Sequence, residues 1–243
     1  MKPFCHILIL VSILGLFSCK KKEPEPALPA VAPTSNQNGY YGILSTGSYT
    51  NELYGVAMGD YQAKAYFSSE AVAAFNRPTS IRISNVMLNS DSLTYDVNRA
   101  EYWRDYSSAI SSETWSITGN ATIPSFTFVN TATSPSFTFG AVFPDSISKL
   151  AGFTVKVNNV TSATKGSVLV SDKTGALTGI FSASLNPGDN TITFTPANLT
   201  NLALTNYAYL TVWLENSQVT TVSGKKFGFT KEVQYLKMIK IQP

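Results

Sequence analysis

The chain of 243 residues predicts an all-β fold, two consecutive antiparallel β-sandwich domains behind an apolar leader and a Pro-rich tether. Three observations carry this reading. From residue 40 onward, short stretches rich in Val, Ile, Thr, Phe and Tyr recur, many alternating apolar and polar with the period of a half-buried strand. Asn, Gly, Pro, Ser and Asp punctuate them at the spacing of a sandwich. The segment Thr131-Ala132-Thr133-Ser134-Pro135 then divides the chain into two lengths that each suit one domain.

The leader comes first. Lys2 supplies a positive charge, and from Ile7 to Phe17 the chain is apolar except for Ser12 and Gly15. This is a charged n-region followed by an h-region. A spanning helix needs about 20 apolar residues, and this run is shorter. Lys20, Lys21 and Lys22 follow at once, and Pro24, Pro26 and Pro29 then oppose regular structure. The leader ends Leu16-Phe17-Ser18-Cys19, which resembles the lipobox of bacterial lipoproteins. Phe17 stands where most such boxes have a small residue, as in the looser boxes of Bacteroidota-type lipoproteins. The resemblance implies that residues 1–18 are a signal peptide and that Cys19 becomes the first mature residue, lipidated on its thiol and amine. It places the protein in the cell envelope, and Lys20 after Cys19 favours the outer membrane. The run after Cys19 lacks the paired acidic residues of the usual surface-export signal, which leaves the leaflet open. Each buried CH₂ contributes about 0.8 kcal/mol, so several acyl chains hold a protein stably on a membrane.

The leader also removes chemistry. The two cysteines are Cys5 and Cys19, and the single histidine is His6. Once the leader is cut, the mature chain has no histidine and no free thiol. A Ser-His-Asp triad, a Cys-His pair, His or Cys zinc sites and a His-ligated haem are then excluded. Carboxylate chemistry and oxygen-ligand metal sites remain open. No phosphate-binding Gly loop or EF-hand spacing occurs, so the sequence calls for no cofactor and no metal. The formal charge is +3, and Lys20 to Lys22 belong to the tether. The folded part is therefore near neutral, without the basic stripe that nucleic acid requires.

The tether, residues 19–39, holds Glu23-Pro24-Glu25-Pro26, Pro29 and Pro33 and cannot bury a core. Gly39 marks its end. In the first domain, residues 40–131, Ala63 to Phe67 reads as a strand. Glu70 to Phe75 reads as one helical turn ended by Arg77-Pro78. Ser80 to Leu88 is a strand running into the turn Asn89-Ser90-Asp91, and Leu93-Thr94-Tyr95 is its return. Trp115 to Thr118 and Phe126 to Val129 are two more strands.

The second domain, residues 136–243, opens with Phe137 to Phe139. Phe153 to Val157, Val168 to Val170 and Ile180 to Leu185 follow. Pro187 and Gly188 then suit a type II turn, and Thr191 to Thr195 returns with strict alternation. Tyr207 to Leu214 is the strongest strand, and Phe227 to Phe229 and Tyr235 to Ile241 close the chain. This rhythm resembles immunoglobulin or fibronectin type III sandwiches, without their Cys…Trp…Cys signature. Such folds host adhesion, sugar binding and passive spacing alike.

Two sets of residues are candidates for recognition. In the first domain Tyr102, Trp103, Tyr106 and Trp115 lie among Asp96, Arg99, Glu101 and Asp105. Flat rings cover the apolar face of a pyranose, and charged groups bond its hydroxyls. The same rings serve equally well as anchors that pack back on a sheet. In the second domain Tyr207, Tyr209 and Trp213 alternate with the core set Ala208, Leu210, Val212 and Leu214. They form either an exposed stripe for a protein partner or a face covered by the rest of the chain. A carboxylate pair for glycoside hydrolysis needs two of the acidic groups facing each other about 5–10 Å apart. Asp91-Ser92-Leu93 and Asp145-Ser146-Ile147 match the loose O-glycosylation tripeptide of such exported proteins. The reading is a lipid-anchored, non-catalytic binding or adhesion module, with glycan as the ligand its aromatics suit. The alternative is an accessory subunit that meets an envelope protein. Exposure of the Trp103 and Trp115 region or of the Trp213 face discriminates between them.

Overall fold

The computed structural model describes residues 39–72, 79–141, 143–172 and 180–243. The leader, Cys19 and nearly all of the tether lie outside the described residues. No helix among the described residues is long and apolar enough to cross a membrane.

The protein is all-β. Its strands are β1 (Tyr40–Leu53), β2 (Val56–Val72), β3 (Asn85–Leu88), β4 (Asp91–Ser92), β5 (Thr94–Asp96), β6 (Glu101–Tyr106), β7 (Glu113–Thr118), β8 (Phe126–Asn130), β9 (Ser136–Phe139), β10 (Ser146–Ser148), β11 (Phe153–Thr161), β12 (Lys165–Ser171), β13 (Ile180–Ser184), β14 (Gly188–Phe194), β15 (Thr205–Val222) and β16 (Lys225–Gln242). One helical turn, α1 (Pro196–Leu199), is closed by a capping box between Thr195 and Asn198.

Nine strands form one large sheet in the order β13-β12-β15-β16-β1-β2-β6-β5, with β10 added beside β16. Two small sheets, β14-β11-β9 and β4-β3-β7-β8, complete the fold. The odd residues of β16 carry both cores on one face. Phe227 and Phe229 join the first core with Leu44, Phe67, Trp115 and Ile117, while Ile239 and Ile241 join the second with Val157, Leu210 and Phe194. Phe128 stacks on Phe229 with centroids 3.9 Å apart, and Phe126 sits 4.6 Å from Phe227. Two sandwiches therefore stand side by side on the same face of one sheet.

This joining departs from a simple succession of domains. The strand that closes the second sandwich also floors the first, because β1 pairs β16 in parallel from Tyr40↔Lys226 to Glu52↔Lys237. The large sheet is consequently mixed, with a second parallel pair between β10 and β16. In sequence, Thr230-Lys231-Glu232 interrupts the apolar pattern and reads as a break between two strands. In the fold it is continuous strand. Lys231 is buried between the cores and pairs with Glu113 at 3.3 Å. Glu113 also accepts from the Thr46 hydroxyl and, at 2.7 Å, from the Asn130 amide. A buried charge in mid-strand is tolerated because its partners are present.

Three local expectations are revised. Glu70 to Val72 continue β2, where a helical turn was expected; residues 73–75 lie outside the described residues. The strand after the Asn89–Ser90 turn is β4, which pairs β3 through Leu88↔Asp91, and the chain then changes sheet so that Tyr95 of β5 pairs Tyr102. The Pro187–Gly188 turn likewise carries the chain between sheets, β13 pairing β12 and β14 pairing β11. Gly188 has φ 93°, the positive value that the turn requires.

Candidate binding cleft

The two expected aromatic sets do not assemble as sites. Trp115 is fully buried in the first core. Tyr102 is buried beside Phe67, and its hydroxyl is a staple: it accepts from the Ile83 N–H at 2.8 Å and donates to the Ile83 carbonyl at 2.6 Å. Tyr106 packs against the same core, with its hydroxyl buried and unbonded. Trp103 alternates with Tyr102 along β6 and points to the other face of the sheet, where the Arg99 guanidinium lies 5.5 Å from its ring. Strand alternation thus separates residues that adjacency in sequence suggested were together. Two of the carboxylates, Asp96 and Glu101, are also taken. Asp96 caps the turn by accepting from the Asn98 and Arg99 N–H groups, and Arg99 links it to Glu101.

On β15, Tyr209 and Trp213 are buried, while Tyr207 is exposed. A bulge between Thr205 and Ala208 shifts the register beside Tyr207, so the three rings form no continuous stripe. The face they occupy carries an unusual pair. Glu215 and Glu232 are direct cross-strand partners. Burial raises the Glu215 carboxyl above its ordinary range, against the opposing pull of Lys165 at 3.3 Å and with a contribution from Glu232. Burial raises Glu232 as well, although Lys64 and the Tyr49 hydroxyl, 3.0 Å away, favour its charge. The Tyr49 ring reaches Glu232 by lying across Gly47, where a Cβ would come within 2.4 Å of the ring.

A roomy concave site lies on the sandwich face, between the β1–β16 pair and the end of β9. It is a cleft of about 450 Å³ lined by Glu52, Phe139, Gly140, Ala141, Phe143, Tyr235 and Lys237. Parallel register places Glu52 directly beside Lys237, and alternation brings Tyr235 to the same face two residues earlier. Phe139 ends β9 and reaches over them. Its ring packs edge-on to Phe143 at 4.4 Å and to Tyr235 at 4.7 Å, yet Phe139 remains 42% exposed.

The polar floor is saturated from within. The Lys237 ammonium meets Asp145 at 2.8 Å, the Phe143 carbonyl at 3.0 Å and Glu52 at 3.2 Å. The Tyr235 hydroxyl donates to the other Glu52 oxygen. That bond is the main reason the Glu52 carboxyl sits below its ordinary range, with Lys237 adding to it. Lys237 likewise holds the Asp145 carboxyl down. Burial and the Glu52 carboxylate push Tyr235 upward. Burial opposes the charge of Lys237, but Asp145 and Glu52 outweigh it and raise its pKa. Every polar group is fixed in one state near neutral pH, and the Asp145 side chain, 92% exposed, presents acceptor oxygen to solvent. Such a cleft offers a flat ring, aligned acceptors and little reorganisation on binding.

The sequence signal for this cleft is faint. Glu52, Phe139, Asp145 and Tyr235 lie on four separate strands or loops; the β1–β16 pairing brings Glu52 to Tyr235, Asp145 enters beside the β10–β16 pair, and Phe139 arrives from β9 by ring packing. Among the described residues, no group of three or more His, Cys, Asp or Glu side chains is placed to hold a metal ion. No family model, no curated protein and no solved structure matches this chain.

Proposed function

We propose that this is a lipid-anchored cell-envelope protein, held at the outer membrane through Cys19, whose double sandwich is a non-catalytic module that binds glycan in the cleft under Phe139. The observation that carries the reading is an exposed aromatic ring set beside the preorganised Glu52–Tyr235–Lys237–Asp145 network. A pyranose ring lies on Phe139 and its hydroxyls donate to the Asp145 oxygens. The C-terminal sandwich is of immunoglobulin type in this reading. Its support is strand order, β9-β11-β14 facing β13-β12-β15-β16 with β10 at the β16 edge.

One experiment with two arms tests the proposal. Membranes carrying the full-length protein are fractionated, and the detergent-extracted protein is run through native gels that contain a panel of polysaccharides. Cys19→Ala should leave the membrane fraction and lose the mass of the acyl chains. Phe139→Ala should weaken retardation by the bound glycan about tenfold or more, equivalent to about 1.4 kcal/mol, while Val129→Ala on the far sandwich leaves it unchanged. Membrane retention of Cys19→Ala defeats the anchor; indifference to Phe139→Ala, or no retardation by any glycan, defeats the site.

A further inference from the structure

On its β2 side the β1–β2 hairpin outruns β6. The turn is Tyr54–Gly55, both at positive φ, and Leu53 pairs with Val56 across it. Such a two-residue turn makes Leu53 and Val56 a hydrogen-bonded pair, as are Asn51 with Met58 and Tyr49 with Asp60. The N–H and C=O groups of Ala57 and Gly59 therefore point to the opposite edge of β2. Further along that edge the outward groups of Tyr61, Ala63 and Ala65 are taken by β6, which pairs β2 from Tyr61↔Tyr106 to Ala65↔Tyr102. Beyond Tyr106 the chain leaves the sheet in a bend. Among the described residues no strand covers the edge at residues 56–60, and every residue there is exposed.

Natural sheets blunt open edges with Pro, Lys, bulges or a covering segment. Among the described residues this edge has none of these. It presents Val56 at 60% and Met58 at 51% exposure on one face, followed on that face by Asp60. Asp105 of β6, beside Gln62, extends the acidic end. Both carboxylates are exposed and neither forms an ion pair with a described residue.

We infer that residues 56–60 are a strand-addition site for an extended segment of a partner protein, one that places apolar side chains against Val56 and Met58 and a basic side chain against Asp60 and Asp105. The partner strand continues the line of β6 and is held by the Ala57 and Gly59 backbone groups. Backbone bonds supply affinity and the alternate side chains supply selectivity. The open edge asks for backbone, the two apolar residues for alternation, and the unpaired carboxylates for positive charge.

The probe is the peptide acetyl-Lys-Thr-Val-Thr-Val-Thr-Lys-amide, symmetric enough to pair in either direction, with a Glu-for-Lys peptide as control. Binding to the full-length protein in detergent is followed by amide NMR shifts and by hydrogen exchange. The expected result is slowed exchange at Ala57 and Gly59 and at least tenfold tighter binding of the Lys peptide. Gly59→Pro removes an outward donor while sparing the bonds to β1, and should abolish the protection. Glycan retardation at the Phe139 cleft should persist in that variant, which shows that the fold is intact. Equal binding of the two peptides, no binding at millimolar peptide, or unaltered binding to Gly59→Pro overturns the inference. So does sedimentation showing a dimer of the protein alone that Gly59→Pro dissolves, since the edge would then serve a second copy.

Discussion

At the scale of single residues, the sharpest consequence concerns Glu215. It is 1% exposed, lies beside Glu232, and has a folded-state pKa raised above its ordinary value of 4.5, with burial as the first cause. The folded protein thus holds this proton more tightly than the unfolded chain does. The associated stability is present below the ordinary value and is lost as pH rises through the raised one. Glu215→Gln keeps the shape and removes the titration, and Lys165 is exposed enough to solvate its freed charge. The variant should gain stability relative to the parent between pH 4.5 and neutrality, measured by urea unfolding at constant ionic strength. A stability difference that does not change with pH would refute the raised carboxyl. The buried Tyr102 hydroxyl shows the opposite economy, since both of its bonds are made within the fold and leave nothing for a ligand.

At the scale of elements, β16 is held at mid-length by Lys231 and Glu113. Lys231→Met leaves Glu113 charged and buried among Thr46 and Asn130, and should cost about 3–5 kcal/mol in chemical denaturation. A loss below about 1 kcal/mol would mean that Glu113 does not depend on the lysine. The same element explains how far the sequence could be read. Strands with clean alternation, such as Phe153 to Val157 and Thr191 to Thr195, fall where their pattern puts them, because one face meets a core and the other water. So do Ala208, Leu210, Val212 and Leu214, all fully buried. The length of β16 was not legible, because the ion pair that permits charge in its middle comes from β7, over a hundred residues earlier in the chain. The cleft was hidden for the same reason. Glu52 and Lys237 meet through a parallel pairing between the first and last strands, to which Asp145 and Phe139 are added from mid-chain segments, and no local pattern announces that. The Tyr102 to Tyr106 patch was conspicuous in sequence, yet alternation sends its rings to opposite faces.

At the scale of the whole molecule, the two cores share β16, and β15 reaches both through Leu210 and Val222, so neither small sheet has a complete floor of its own. Heating the full-length protein should therefore give one calorimetric transition for the folded part, with equal van't Hoff and calorimetric enthalpies. Two resolved transitions would mean that the sandwiches unfold separately. The direction of β1 has a mechanical consequence. The tether joins at Gly39, and Glu52 of the cleft lies near the opposite end of the strand, roughly 40 Å away at about 3.3 Å per residue. In the proposed anchored, ligand-bound state, a pull between the two ends runs along the strand axis. It loads the β1–β2 and β1–β16 hydrogen bonds in shear, so that the whole row resists together and no single bond opens first.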